Sequence, residues 1–384
     1  MIGNHMINCT GCGACLQKCP QNCITMKLDK DGFAYPIINY EICVECGLCS
    51  NVCPIDKNLY INKEQMTYYG IINKDTESIL ESASGGVFII LAKYFLNKGG
   101  YVAGCVMKEK SPIHILSNSI MDVKKMQGSK YVQSDTTKVY IQIKEKLNKG
   151  VKVLFTGTPC QVDGLYSFLG SKHDNLYTID ILCHGTPSPK YLEYCLKYYE
   201  NKYKFKIEDV QFRSKQGKLS WGKNYGLTLI GGKEKKYIPA KYDVYYRDFI
   251  EANSFRESCY ECAYTSENRV GDLTIGDFQG VNKFYPEIDT HNGVSVVSVN
   301  SSKGKKMIEI MDDKVFKFET LFQNASDQNG PFKKPAARNN YRNNIYQEVY
   351  LYGYEKIQKN MLKKNFIKNI IPNRLKESIK KIFK

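Results

Sequence analysis

The chain has no apolar run long enough to cross a bilayer; the best candidate, Val87 to Ala92, is cut by Lys93. Met1 to Asn8 lack both the charged start and the apolar core of an export signal. A disulfide framework is missing as well, because the cysteines crowd at one end instead of spreading in pairs. These absences argue against a membrane-spanning or secreted protein and lead to the expectation of a cytoplasmic one. Acids run short in one place. From Lys356 to Lys384, ten Lys or Arg face a single acid, Glu377, and this stretch carries more than half of the formal net charge of +16. The rest of the 384 residues is only mildly basic, so nucleic acid is not the expected partner.

Fifteen cysteines are present, nine of them before Pro54. In a reducing compartment, clustered thiols are metal ligands or redox groups. The run Cys9-x-x-Cys12-x-x-Cys15-x-x-x-Cys19-Pro20 is repeated as Cys43-x-x-Cys46-x-x-Cys49-x-x-x-Cys53-Pro54. Two-residue gaps let three thiolates wrap one face of a cubane, while the fourth cysteine, before proline, ligates the other cluster. Two 4Fe–4S clusters are therefore expected, one on Cys9, Cys12, Cys15 and Cys53, the other on Cys43, Cys46, Cys49 and Cys19. Zinc modules pair their cysteines differently, with a distant second pair or histidines. Cys23 is left over and reads as a small buried packing residue. Ile24 to Leu28 and Phe33 to Ile37, flanking Asp31-Gly32, read as a hairpin.

Beyond a polar linker around residues 55–65, strand and helix signals alternate. Thr67–Ile72, Tyr101–Met107, Val151–Phe155 and Leu176–Leu182 read as strands; Val87–Asn97, Val139–Leu147 and Gln161–Leu169 read as helices. From about Val210 the strands come in hairpins. The expected fold is an α+β ferredoxin module over residues 1–60, then an α/β domain with a mixed sheet over 66–345, then a basic amphipathic tail over 346–384. Cys160 and Cys183 each follow a strand, and neighbouring parallel strands end close together. With the Cys259-x-x-Cys262 pair they would supply four thiolates, enough for a third cluster. Spacing alone leaves a zinc site or unconnected thiols equally open. Cys105 and Cys195 read as core residues. Ser82-Ala83-Ser84-Gly85-Gly86 stands before a helix, where free amides suit phosphate, although an ordinary serine cap is the simpler reading. Lys130 and Tyr131 add a cation and a ring suited to phosphate and a flat ring system.

Taken together, SASGGVF (82–88), GSKYVQS (128–134), FTGTPCQVDGL (155–165), CHGTPSP (183–189), FRSK with Trp221, RESCYECAY (256–264) and VGDLTIGDFQG (270–280) resemble the family of coenzyme F420 hydrogenase/dehydrogenase beta subunits. The motifs run in family order over roughly residues 1–285. The resemblance implies an FAD-binding domain with its own 4Fe–4S cluster. It favours Cys160, Cys183, Cys259 and Cys262 as that cluster's ligands, and Ser82, Ser84, Gly85, Gly86, Lys130 and Tyr131 as FAD contacts. Gln279 departs from the aromatic residue common in the family, and the chain beyond Phe284 matches no motif.

A flavin fits the chemistry, since cubanes pass single electrons and organic redox substrates usually exchange pairs. The expected function is an iron–sulfur flavoprotein oxidoreductase acting on an unidentified organic substrate, with a redox protein or reduced ferredoxin as partner. Two alternatives stand beside it: a non-catalytic electron-transfer subunit, and a binding protein with structural clusters. His184 reads as packing beside a ligand before it reads as a proton relay, and Asp272 and Asp277 as turn and loop acids. In the tail, Ile357, Leu362, Phe366, Ile367, Ile370 and Ile371 share a helical face, and after Pro372 so do Leu375, Ile379 and Ile382. This suits contact of residues 356–384 with an anionic membrane, or equally a terminal helix packed on the body.

Overall fold

Short β-branched and aromatic runs alternate with helix-period runs, and the chain turns that alternation into one wide sheet with helices against it. The computed structural model describes residues 6–56, 60–62, 66–213, 215, 221–222 and 225–370, with side chains described to residue 363. The N-terminal module holds a hairpin, β1 (Ile24–Leu28) with β2 (Ala34–Ile38), paired antiparallel from Ile24↔Ile38 to Leu28↔Ala34. Gly32, at a φ of 86°, closes the turn, a backbone angle that glycine adopts without steric cost. Two short helices, Ala14–Lys18 and Leu48–Asn51, each begin after a glycine inside a cysteine run.

The body adds β3 (Thr67–Asn73), β4 (Tyr101–Lys108), β5 (Ser111–Ser117), β6 (Val153–Gly157) and β7 (Leu176–Ile181). A separate antiparallel sheet follows, made of β8 (Asp209–Arg213), β9 (Tyr225–Gly231) and β10 (Glu234–Pro239). The chain then returns with β11 (Leu273–Asp277), β12 (Ser295–Val299) and β13 (Val315–Thr320). The large sheet runs β13-β3-β12-β11-β7-β6-β4-β5. Its four central strands, β4, β6, β7 and β11, are parallel to their neighbours in that group, and both flanks are antiparallel. This is an α/β domain with a mixed sheet behind a ferredoxin-like module.

Parallel strands lie covered on both faces, which is why β6 reads as a continuous apolar run. Val153, Leu154 and Phe155 are fully buried. The helix Val87–Asn97 buries Val87, Ile89, Ile90, Leu91, Ala92 and Phe95 against that sheet. It starts from Gly86 at a φ of 82°. The preceding Gly85 has no room for a side chain, since a Cβ there would stand 2.1 Å from the Ile71 carbonyl oxygen.

The helical stretch Arg342–Ile370 bends at Gly353 and packs on the body. Tyr346, Tyr354, Ile357 and Met361 join the core around Tyr191 and Tyr245. The Tyr354 hydroxyl donates to the buried Asp243 carboxylate at 2.9 Å, and the Val244 amide donates to Gln358 at 2.9 Å. Ile357, the first residue of the expected amphipathic face, is therefore a core residue. The side chains of Phe366, Ile367, Ile370, Ile371, Leu375, Ile379 and Ile382 lie outside the described residues. No helix among the described residues is long and apolar enough to cross a membrane.

Candidate metal centres and cofactor cavity

The cysteines of the N-terminal module fall into two environments. Cys12 and Cys15 are buried, and each feels the charges of Cys9 and Cys53. Burial pushes the Cys12 thiol up to about 12, and its neighbours Cys9 and Cys53 add to the rise. Cys19, Cys23 and Cys43 meet on the other side, with Cys19 Sγ and Cys23 Sγ 3.3 Å apart. Cys46 is exposed. Cys53 thus lies near the first run, while Cys19 and Cys43 each approach Cys23.

Cys160, Cys183, Cys259 and Cys262 converge. The first two emerge from the C-terminal ends of the parallel neighbours β6 and β7, and the pair arrives on the loop before β11. Burial raises the Cys160 thiol well above its ordinary range, and the charges of Cys183, Cys262 and Cys259 raise it further. Burial also lifts Cys262 to about 11, partly offset by Arg269. Four part-buried thiols, each raised above its ordinary range by desolvation, keep their protons at neutral pH unless a cation compensates them, which is the environment an iron cluster supplies. Among the described residues, no group of three or more His, Cys, Asp or Glu surrounds a point where one ion would sit. A cubane, with one thiolate on each of its four irons, holds its thiolates farther apart than a single zinc does. The donor set fits a cluster.

Several residues not singled out from the sequence hold this geometry. Gln161 accepts from the Thr158 amide at 3.0 Å and donates to Ser134 Oγ at 2.9 Å. Ser134 Oγ lies 3.0 Å from His114 Nδ1, and His114 Nε2 lies 3.1 Å from the Thr156 carbonyl oxygen. A carbonyl only accepts, so Nε2 carries the proton and Nδ1 accepts from serine. This chain of bonds fixes both sides of Cys160. Asp163, fully buried, accepts from the Tyr60 amide at 3.1 Å and from the Tyr264 hydroxyl at 2.8 Å, tying linker and cysteine loop to the same helix. Arg269 pairs with Asp180 at 2.8 Å and donates to the Tyr264 carbonyl.

Two contacts join the module to the third cysteine set. Gly164 lies one helical turn after Cys160 in the helix Pro159–Leu169, hence on the same face. A Cβ at Gly164 would stand 2.9 Å from Cys12 Sγ, so the absent side chain lets the first N-terminal set press against this helix. Arg256 is 1% exposed and donates to the Cys9 carbonyl, to Gln133 Oε1 at 3.1 Å and to the Ala34 carbonyl at 3.0 Å. Its guanidinium lies 4.0 Å from the Tyr35 ring centroid. It also draws down the Cys259 thiol, which burial otherwise raises. Arg256 is thus a cation between two cysteine sets, and no carboxylate pairs with it among the described residues.

The third set opens onto a cavity of about 1070 Å³, at the upper end of the range for cofactor sites. Ser82, Ser84, Gly86, Lys130 and Tyr131 line it, whereas Gly85 does not. The serine hydroxyls are already used: Ser82 donates to the Ser78 carbonyl and Ser84 to the Val294 carbonyl, both at 2.8 Å. Lys215 grips the same loop, donating to the carbonyls of Ile79, Ser84 and Asn292. The Lys130 ammonium is spent on the carbonyls of Lys125, Met126, Gln127 and Gly128 at the end of the helix Ile120–Met126. Those carbonyls have no partner in their own helix. Tyr131 stacks on Phe249 with ring centroids 4.1 Å apart.

Other cavity residues differ from expectation. Cys105 is half-buried on the cavity wall, because its position on β4 turns it away from the core; Cys195 is fully buried as expected. His184 is open to the cavity, its ring edge-on to Phe249 and Phe255, with burial holding its pKa below the ordinary histidine range. Asp277 ends β11 and pairs with Arg213, both lining the cavity, while Asp272 is a buried acceptor for Thr178 and Ser301.

Residues 150–323 match the family described as coenzyme F420 hydrogenase/dehydrogenase, C-terminal part of the beta subunit. That stretch is similar to the family's C-terminal part and makes up less than half of the chain. Residues 8–57 match the 4Fe-4S dicluster domain. A subunit of the F(420)H(2) dehydrogenase of Methanosarcina mazei is 28% identical over 171 residues, 40% of this chain and 46% of that protein. The coenzyme F420-dependent sulfite reductase of Methanocaldococcus jannaschii is 25% identical over 260 residues, 62% of this chain and 38% of that one. The chain spans less than half the length of these curated relatives. A chain of the F420-reducing [NiFe] hydrogenase complex from Methanosarcina barkeri aligns at 16% identity and a TM-score of 0.43, covering 68% of this chain and 84% of that one. Over these stretches the chain is similar to iron–sulfur redox proteins related to F420 hydrogenases and dehydrogenases.

Proposed function

We propose that the chain is an FAD-dependent iron–sulfur oxidoreductase with three 4Fe–4S clusters, held by Cys9/Cys12/Cys15/Cys53, Cys43/Cys46/Cys49/Cys19 and Cys160/Cys183/Cys259/Cys262. The observation that carries this reading is the shared wall: the third cysteine set and the Ser82–Gly86 loop border one large cavity. Clusters supply single-electron transfer, and a flavin beside one supplies exchange with two-electron organic substrates.

The residues around the cavity suit a bound dinucleotide. The helix Val87–Asn97 begins at the cavity with the free amides of its first turn, where a pyrophosphate is favoured. Lys215 and Ser295 hold that loop from behind, Ser295 Oγ accepting from the Gly85 amide at 2.9 Å. Tyr131, Tyr225, Tyr246 and Phe249 give the opposite wall aromatic surface for a flat ring. Lys130 contributes by rigidifying the Gln127–Tyr131 turn rather than by lending its charge. His184, open to the cavity and held neutral, is placed to accept a proton from a bound substrate.

The relatives' names make reduced coenzyme F420 the first substrate to try. The test is anaerobic purification followed by acid release of flavin and titration with dithionite in the visible spectrum. One FAD per chain, bleached together with the iron–sulfur absorbance, supports the enzyme reading. A second reading, an electron-transfer subunit of a larger complex, is favoured by the exposed cysteine set at Cys46 and by the dehydrogenase relative, itself a subunit. Iron without flavin would decide for it.

A further inference from the structure

The second N-terminal cysteine set sits in an unusual piece of surface. Tyr40, Ile42 and Val44 are 61%, 50% and 61% exposed, Leu48 is exposed beside them, and Cys46 itself reaches solvent. Three apolar side chains in five residues at half exposure or more are not explained by packing. The charge here is also anomalous. From Asp31 to Asp56 the sequence has no Lys or Arg, in a chain with a net charge of +16. Asp31 is occupied by Arg342 at 3.0 Å, but Glu41 and Glu45 are exposed and form no ion pair among the described residues. Cys12 and Cys15 of the first N-terminal set are buried and the third set is part-buried on the cavity wall, whereas Cys46 is exposed, so electrons reach the chain most directly through this loop.

Resting on the function proposed above, we infer that the loop 39–48 is a docking surface for a small redox protein that presents basic residues around an apolar contact. A partner with an acidic rim would meet Glu41 and Glu45 with repulsion. The apolar centre with a charged rim is the anatomy of a specific contact, and its small extent suits a transient electron-transfer encounter. Local charge sets the encounter rate because, beyond about 10 Å, the positive body is screened at ~0.1 M salt.

The probe is ferricytochrome c, a small basic haem protein. Dithionite-reduced holoprotein, freed of excess reductant, gives one electron to the haem, Fe(III) becoming Fe(II) with no proton transferred. The bimolecular rate is followed by stopped flow from ~20 mM to ~300 mM salt. The port predicts a rate falling about tenfold over that range, as expected for steered encounter. The net charge of the whole chain predicts the reverse. In the Glu41→Lys/Glu45→Lys double variant the low-salt rate should drop about tenfold and the salt trend should flatten or invert, with iron content unchanged. A wild-type rate that rises with salt, or a variant equal to wild type, overturns the port while leaving the cluster reading intact. Absence of reducible iron overturns both.

Discussion

The two kinds of cysteine set differ in how the chain assembles them. The N-terminal sets are written into a stretch of forty-five residues from Cys9 to Cys53, where short gaps bring three thiols of each run together and one compact module supplies the fourth. The third set is drawn from three places between Cys160 and Cys262, and only the fold makes them neighbours. The first kind forms from local geometry; the second requires β6, β7 and the loop before β11 to be in register. Local sets tolerate exposure, as at Cys46. The distributed set is part-buried on the cavity wall and is held by residues such as Gln161, Asp163 and Arg269.

The sharpest way to break this comparison is to remove one ligand from each kind. Cys160→Ser should lose about four of roughly twelve irons and most of the flavin, because set and cavity share a wall. Cys46→Ser should lose about four irons and keep the flavin. Iron, sulfide and flavin assays on both variants check this. Equal flavin loss in the two would mean that the sets are not separate.

Gly164→Ala tests the join between them. In an ordinary helix interior this change stabilises by about 1 kcal/mol. Here the new methyl would press on Cys12 at less than 3 Å. The expected result is a net loss of about 2 kcal/mol or more, as for overpacked cores, seen as a lower urea midpoint and weakened iron retention in the N-terminal module.

The support beneath Cys160 is sensitive to acid. Burial holds His114 at about 4, below its ordinary value near 6.5, and in its hydrogen-bonded pocket it stays neutral. The unfolded chain takes up this proton as pH falls through 6.5, whereas the native chain does not until about 4. Stability is therefore full above 6.5 and declines toward 4, by about 2 kcal/mol at pH 5. Urea midpoints between pH 7.5 and 5 should show a shallower decline in His114→Gln.

The smallest effect concerns Arg256. Removing a cation from between two sets disfavours the reduced, more negative state. Arg256→Gln should shift the midpoints of both sets negative by about 60 mV, a tenfold change in a one-electron couple. Arg256→Lys should keep the charge and most of the potential. Potentiometric titration followed by electron paramagnetic resonance reads this directly, and equal shifts in both variants would mean packing, not charge.

Legibility followed the same division. The hairpin Ile24–Leu28/Ala34–Ile38, the helix Val87–Asn97 and the parallel strands β4, β6 and β7 carry short-range periodicity, and the sequence reading has them to within two residues, whereas β11 was not read as a strand. The antiparallel half beyond Phe284 was opaque, although the stretch around Ser295–Val299, with four valines between Gly293 and Asn300, carries a strand signal. Around the site, Gly164, Asp163, Arg256 and Lys215 lie inside the resemblance motifs and His114 outside them, but none had a role legible there, because each acts on a partner distant in sequence. Lys130 shows the converse: a cation in a phosphate-like motif whose charge is taken by the helix before it.

The central claim is that four distant cysteines make a third cluster beside a flavin cavity. Iron, acid-labile sulfide and flavin per chain, measured on anaerobically purified protein, test it most directly. About twelve irons, about twelve sulfides and one FAD are predicted, three cubanes and one cofactor. About eight irons with no flavin would contradict it, leaving only the N-terminal module.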